Sequence, residues 1–343
     1  SNGLHTQIFQ KKFSKLIDRK FSLAVQSGTA ALHLALKSLG CKTNDKVIIP
    51  NYTCVSNISS VAQCNAIPII VEVERETLGL DYELVKKAII KYKPKMLQLV
   101  HVYGYPARDT VKIINLCKKK GVKVIEDASE ALGAKLNNQK IGSFGEISVF
   151  STRSEKMIGV GEGGMISTNN KIIFENICLI ASRSAPFRKR KDPYWKKYFH
   201  LGEGYNYLLP HLLGAIGRAQ VERFQKDMLP KKKNVGNFYK RIFQEGQCSL
   251  TQKTIKKTIP VFWLNSIFFK DLNKISVIKL AHLLEKKGIE VRSGFWPMSE
   301  LKGFKSIYVK GKNKVSMEIF EKSLVLPSNI NLKYTDIKSF KNQ

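Results

Sequence analysis

The chain has 343 residues, 43% of them hydrophobic and 25% charged, and a formal net charge of +31 from 58 Lys and Arg against 27 Asp and Glu. That composition excludes a disordered tail protein, a collagen-like repeat and a disulfide scaffold, and no apolar run approaches the ~18–20 residues of a membrane span. Single cores stop growing at about 250–300 residues, so one large domain with a smaller companion is expected.

From residue 20 to 170 short β-rich runs alternate with amphipathic helical stretches. Phe21–Gln26, Lys46–Pro50, Pro68–Val73, Met96–Val102, Val122–Glu126, Ile147–Phe150 and Met165–Thr168 read as strands. Thr29–Leu39, Asn57–Cys64, Tyr82–Tyr92 and Thr110–Lys120 read as helices between them. Such alternation predicts an α/β domain with a mainly parallel, doubly wound sheet. Residues 171–204 are irregular and basic, and a helix is expected from His211 to Asp227, ending near Pro230. Beyond it, strands at Thr258–Leu264 and Ser266–Lys270 and a helix at Val277–Lys287 predict a smaller α+β domain. The division falls near residue 228, giving a large domain over 1–228 and a small one over 229–343.

Ligands of such sheets bind at the carboxyl ends of the strands, and three polar clusters sit there. Ser27-Gly28-Thr29 opens a helix directly after a strand, which suits a phosphate and equally an ordinary helix N-cap. Asp127 closes the strand Val122–Glu126, where a carboxylate holds a ring nitrogen protonated or caps the next helix. Lys156 follows Ser151, one lysine among 47, ahead of Gly159-x-Gly161-x-x-Gly164. Those glycines precede a strand rather than open a helix, so the dinucleotide reading fails. Together the clusters supply a phosphate cradle, an Asp for a pyridinium nitrogen and a Lys for an aldehyde: the needs of pyridoxal 5'-phosphate.

The charge first points to a polyanionic partner. Yet the excess is 47 Lys with only 11 Arg, whereas base and phosphate recognition leans on the Arg fork. The lysines are dispersed, so a solvated basic surface is expected rather than a nucleic-acid face. The six cysteines (41, 54, 64, 117, 178 and 248) show no metal-ligand spacing and read as reduced thiols of a cytoplasmic protein, with no metal and no membrane anchor. The chain opens at Ser1 rather than Met, which leaves room for a removed leader.

Ser27-Gly28-Thr29-Ala30-Ala31-Leu32, Glu126-Asp127-Ala128, Gly142-Ser143-Phe144-Gly145, Ser151…Lys156…Gly161-Glu162-Gly163-Gly164, Gly204-Tyr205-Asn206-Tyr207 and Gly214-Ala215-Ile216-Gly217 follow one another in this order. With Pro297-Met298-Ser299 and Leu326-Pro327-Ser328, the series resembles the DegT-type nucleotide-sugar aminotransferases, of PLP fold type I, over almost the whole chain. The resemblance implies that Lys156 carries the cofactor's aldehyde and that Asp127 pairs with its pyridine nitrogen. It implies further that Ser27, Gly28, Thr29 and Ser151 hold the phosphate, and that Glu130 lies at the ring oxygen, as in the perosamine-synthase-like branch. Asn206 matches a residue reaching the phosphate of a neighbouring subunit, which implies a homodimer with shared sites. Cys54 stands where many relatives have the aromatic that stacks on the ring, Leu208 stands where Arg is usual, and relatives carry further residues ahead of Ser1–Gly3. Arg188, Arg190 and Trp296 are expected on the substrate side, the arginines at the diphosphate.

The implied reaction moves the amine of L-glutamate, by way of pyridoxamine 5'-phosphate, to a keto sugar on a nucleoside diphosphate. A 4-keto-6-deoxyhexose giving a GDP-perosamine-type product for surface polysaccharide is the first expectation. A 3-keto sugar aminated at C3 is the near alternative. A sugar dehydratase of this fold, which would lack the lysine, and a nucleic-acid binder on the same scaffold stand behind it.

Overall fold

The computed structural model describes residues 3–186, 191, 193–244 and 248–341. Helix α1 (Leu4–Leu16) leads into β1 (Phe21–Val25), α2 (Gly28–Ser38), β2 (Lys46–Pro50), α3 (Ser56–Gln63), β3 (Ile67–Val71), α4 (Tyr82–Tyr92) and β4 (Met96–Val100). Then come α5 (Thr110–Lys120), β5 (Lys123–Asp127), β6 (Ile147–Ser151), β7 (Gly164–Thr168) and α6 (Lys171–Ala181). The expected alternation is therefore present, with ends shifted by a residue or two.

The strands form one eight-stranded sheet in the order β1-β7-β6-β5-β4-β2-β3, closed by Ile307–Val309 beside β3. Strand β7 runs antiparallel to both of its neighbours, and the pairs from β6 through to Ile307–Val309 are all parallel. Alternate side chains of each strand go to opposite layers. Val47, Ile49, Ile125 and Val149 pack with residues of α2, α3 and α6, while Ile48, Leu97, Leu99 and Val124 pack with α4 and α5. Burial on both faces is what a doubly wound parallel sheet requires.

Three expectations are corrected. Residues 171–204 are not irregular throughout, because Lys171–Ala181 form α6, capped by Asn170, whose side chain accepts from the N–H groups of Ile172 and Ile173. The helix α7 (His211–Arg223) does not stop near Pro230 but passes through a π turn at Phe224–Met228 into α8 (Leu229–Ile242). In that turn the Leu229 N–H reaches back to the Phe224 carbonyl, so Pro230 falls in the first turn of α8, where its missing N–H is tolerated. In place of a strand over Thr258–Leu264, only Thr258–Ile259 pairs, with Lys135–Leu136. Pro260 has no N–H to continue a ladder, and Phe262 takes a φ of 53° that turns the chain away.

Beyond α8 a four-stranded antiparallel sheet, in the order Cys248–Leu250, Asn265–Phe269, Ser323–Leu326 and Arg292–Ser293, gathers its own core around Tyr239, Ile267, Val277, Leu284 and Leu324. We propose the division into 1–228 and 229–343 on this second core, with Ile307–Val309 crossing back to β3. Helix α1 lies across α7, where side chains at Gly214 and Gly217 would collide with Thr6 and Phe9, at 2.0 and 2.6 Å. The two glycines are thus a packing requirement between helices.

Lys232 of α8 is buried, its ammonium donating to the Ser328 carbonyl. Burial pushes its pKa down to about 8. The folded state therefore disfavours the charge, so the associated stability is present above the unfolded value near 10.5 and lost as pH falls through about 8. Lys232→Met is expected to be more stable than wild type at pH 7 by up to about 3 kcal/mol. Urea midpoints at pH 7 and at pH 9.5 check this, since the advantage should shrink at the higher pH.

Candidate active site

Because β1, β2, β4, β5 and β6 run in one direction, their carboxyl ends share one edge, and the segments leaving them line a single cleft. Ser27–Thr29, Thr53, Cys54, Val100, Asp127, Glu130, Ser151 and Lys156 all face it.

The first wall is the N-terminus of α2. Ser27 caps it, its hydroxyl accepting from the Ala30 N–H at 3.0 Å. The N–H groups of Gly28 and Thr29 lie in the first turn, which has no carbonyl partner within its own helix, and they carry the positive end of the helix dipole. Gly28 sits against the end of β6, where a Cβ would come within 3.1 Å of the Ser151 Cβ. Thr29 donates from its hydroxyl to Ser56 at 2.9 Å, and the Cys54 thiol lies 3.3 Å from the same Ser56 oxygen. The result is an anion cradle of backbone N–H groups and hydroxyls.

The second wall is the end of β5. Asp127, 5% exposed, accepts from Asn57 Nδ2 at 3.0 Å and from the Ser129 N–H at 3.0 Å. Asn57 is itself held, donating to Gln98 at 2.9 Å and accepting from the Thr53 hydroxyl at 2.7 Å. Gln98 in turn donates to Ser60 at 3.0 Å. Glu126 is wholly buried beside it. It accepts from the N–H groups of Gly142, Phe144 and Gly145 at 2.6 to 3.0 Å, with His101 at 3.3 Å and Arg19 at 3.9 Å. Burial pushes this carboxyl up, but His101 and the backbone donors outweigh burial and hold it below the usual range. The motif Gly142-Ser143-Phe144-Gly145 is thus a backbone cage for Glu126.

The third wall is the turn joining β6 to β7. Thr152 N–H bonds to the Gly163 carbonyl and Ser154 N–H to that of Gly161, at 2.8 and 2.9 Å, and Gly161 takes a φ of 100° that favours glycine. Lys156 stands in this turn, its Nζ 3.4 Å from Glu130 Oε1 and 3.3 Å from the centroid of the Trp263 ring. Trp263 is tied to the same turn, its indole N–H donating to the Glu155 carbonyl at 2.8 Å. Glu130 accepts from the Tyr103 N–H at 2.8 Å. Burial pushes the Glu130 carboxyl up, against the opposing pull of Lys156 and that N–H.

A cradle for an anion, a fixed carboxylate and an amine in one cleft fit the phosphate, ring nitrogen and aldehyde of pyridoxal 5'-phosphate. Of the expected residues, Ser27, Gly28, Thr29, Cys54, Asp127, Glu130, Ser151 and Lys156 line the cleft, and Asn206 and Trp296 do not. Asn206 is exposed on a short bridge to Ser182. Trp296 packs its ring on Phe320, with centroids 4.6 Å apart. Arg188 and Arg190 lie outside the described residues. Two contributors carried no sequence signal of their own. Trp263 is more than a hundred residues from Lys156, and Asn57 was legible only as the start of the helix read over Asn57–Cys64.

The profile of the DegT/DnrJ/EryC1/StrS aminotransferase family matches residues 1–342. The chain is 33% identical over 328 residues to a GDP-perosamine synthase of Vibrio cholerae, covering 96% of this chain and 86% of that one. It is 32% identical over 330 residues to a GDP-perosamine synthase of Escherichia coli O157:H7, with the same coverage. Its fold superposes on the crystal structure of a DegT DnrJ EryC1 StrS aminotransferase from Brucella abortus with a TM-score of 0.88, at 20% identity, over 99% of this chain and 89% of that one.

Asn57→Ala removes one of the two N–H donors that hold Asp127. Titration of the apoprotein with pyridoxal 5'-phosphate is expected to show about tenfold weaker binding, the usual loss for a hydrogen bond to a charged group.

Proposed function

The chain belongs to the DegT/DnrJ/EryC1/StrS aminotransferase family, and on that premise we propose that it aminates a 4-keto-6-deoxyhexose carried on GDP, with L-glutamate as donor. The product would be of the GDP-perosamine type, destined for a surface polysaccharide. The observation that carries this reading is the convergence of the α2 N-terminus, Asp127 and Lys156 in one cleft. Pyridoxal 5'-phosphate, when bound, supplies an aldehyde that takes up the donor's amine and a ring that accepts electrons.

The residues divide the work by their chemistry. The N–H groups of Gly28 and Thr29 and the hydroxyls of Ser27 and Ser151 would hold the phosphate. Asp127, oriented by Asn57 and Ser129, keeps a proton on the ring nitrogen. Lys156 would hold the cofactor at its aldehyde and, when free of it, its amine would serve as the acid and base at the substrate carbon. Glu130 and the Trp263 face give that amine a place to rest as an ammonium, since a carboxylate and an aromatic face both favour a cation.

The GDP-linked substrate is supported by the two relatives named as GDP-perosamine synthases. A homodimer with shared sites is supported by Asn206, which is exposed and stands apart from its own chain's cleft. Arg188, Arg190 and Trp296 complete the reading on the substrate side.

The purified protein, given L-glutamate and a panel of GDP-, UDP- and dTDP-linked 4-keto and 3-keto sugars, is expected to aminate the GDP-linked 4-keto-6-deoxyhexose at C4, read by product mass and NMR. Amination at C3, or preference for another nucleotide, overturns the substrate assignment. Lys156→Ala is expected to lose both turnover and the absorbance band of the covalently held cofactor. An unchanged spectrum overturns the lysine's role.

A further inference from the structure

The segment that carries Asn206 is fastened to the flank of α2, whose N-terminus forms the anion cradle. His33, five residues beyond Gly28 on that helix, is 2% exposed. Its Nδ1 lies 3.2 Å from the Tyr207 hydroxyl. Its ring meets Tyr205 and Tyr207 edge-on, at centroid distances of 4.8 and 5.9 Å, and the two tyrosines stack on one another at 4.9 Å. One turn further along α2, Lys37 pairs with Glu203 at 2.7 Å, and the Tyr205 hydroxyl donates to the same carboxylate.

The backbone closes the arrangement. Gln26 N–H donates to the Tyr207 carbonyl at 2.8 Å, Tyr205 N–H to the Ile180 carbonyl at 2.8 Å and Tyr207 N–H to that of Ala181 at 3.1 Å. Successive side chains of an extended segment point to opposite sides. With Tyr205 and Tyr207 turned onto His33, Asn206 between them is turned outward, and it is exposed.

We propose that His33, Tyr205 and Tyr207 are positioning residues that aim Asn206 at the neighbouring chain's phosphate, so that the helix binding phosphate in one cleft also orients the asparagine serving the other. The inference rests on the reading of Asn206 as a ligand shared between chains. It adds that the helix carrying the anion cradle of one cleft also holds the segment of Asn206 through His33. The cluster holds its geometry best with a neutral imidazole. Burial lowers the His33 pKa and Lys37 lowers it further, against Glu203, while burial raises that of Tyr207.

The test is a double-mutant cycle read in the dissociation constant for pyridoxal 5'-phosphate, with apoprotein folding checked by circular dichroism. Asn206→Ala is expected to weaken binding about tenfold or more, and Tyr207→Phe, which removes only the hydroxyl, about fivefold. In the double variant Tyr207→Phe should add nothing to Asn206→Ala, because its effect passes through Asn206. His33→Leu should behave like Tyr207→Phe, and His33→Asn, which keeps a polar atom near the Nδ1 position, should recover part of the loss. Mixed dimers locate the effect. Placed on a chain that also carries Lys156→Ala, Tyr207→Phe should weaken cofactor bound at the intact Lys156 of the other chain. Additive losses in the cycle, or an effect confined to the variant's own cleft, overturn the positioning role and leave the shared ligand standing. An Asn206→Ala variant with unchanged affinity overturns the shared ligand itself, and the positioning role with it.

Discussion

A caged carboxylate, Glu126, fixes the end of β5, and the cleft is assembled on that end. Three backbone N–H groups, His101 and Arg19 surround it with no exposure to solvent. A buried charge is tolerable only when it is paired and hydrogen-bonded, and removing one partner leaves the others stranded. The cage therefore has one low-energy arrangement. Glu126 and Asp127 are neighbours on a strand, so their side chains leave on opposite faces. Immobilising the first behind the sheet edge sets the direction of the second in front of it.

The same economy of polar groups governs the front. Asp127, Asn57, Gln98, Ser60 and Thr53 form a chain in which each member has a partner. A network of that kind is rigid because breaking any link leaves a buried polar group unsatisfied. Lys156 and Glu130 are the looser pair. Their separation of 3.4 Å and the aromatic face of Trp263 hold an ammonium without binding it tightly, which suits a group that must change partners.

Much of the fold was legible because a doubly wound sheet leaves a strong local record. Strands buried on both faces read as short continuous apolar runs, and the helices between them repeat their apolar residues at helical spacing. Strand β2 and helices α4 and α5 fall where their patterns place them. The pattern failed where a long-range partner overrode it. Pro230 reads as a stop, yet a π turn set it in the first turn of a new helix. The run Thr258–Leu264 reads as strand, yet only Thr258–Ile259 pairs, and Trp263 packs on Tyr103 and Lys156.

The sequence by itself determined the class of the fold and the chemical groups of the cleft. Strand periodicity, a serine-glycine-threonine helix start, a strand-end aspartate and a lysine beside a glycine turn are local features, set by steric and hydrogen-bonding rules that act over a few residues. Only the tertiary structure decided who stands behind those groups. Glu126 is caged by residues from three separate stretches, Asn57 reaches Asp127 across 70 positions, Trp263 covers Lys156 from the other side of α7 and α8 in the chain, and His33 holds the segment of Asn206 through Tyr207, 174 positions away. Contacts of that span leave no periodicity in the chain, because they are chosen by which strands become neighbours and which buried polar groups remain to be satisfied.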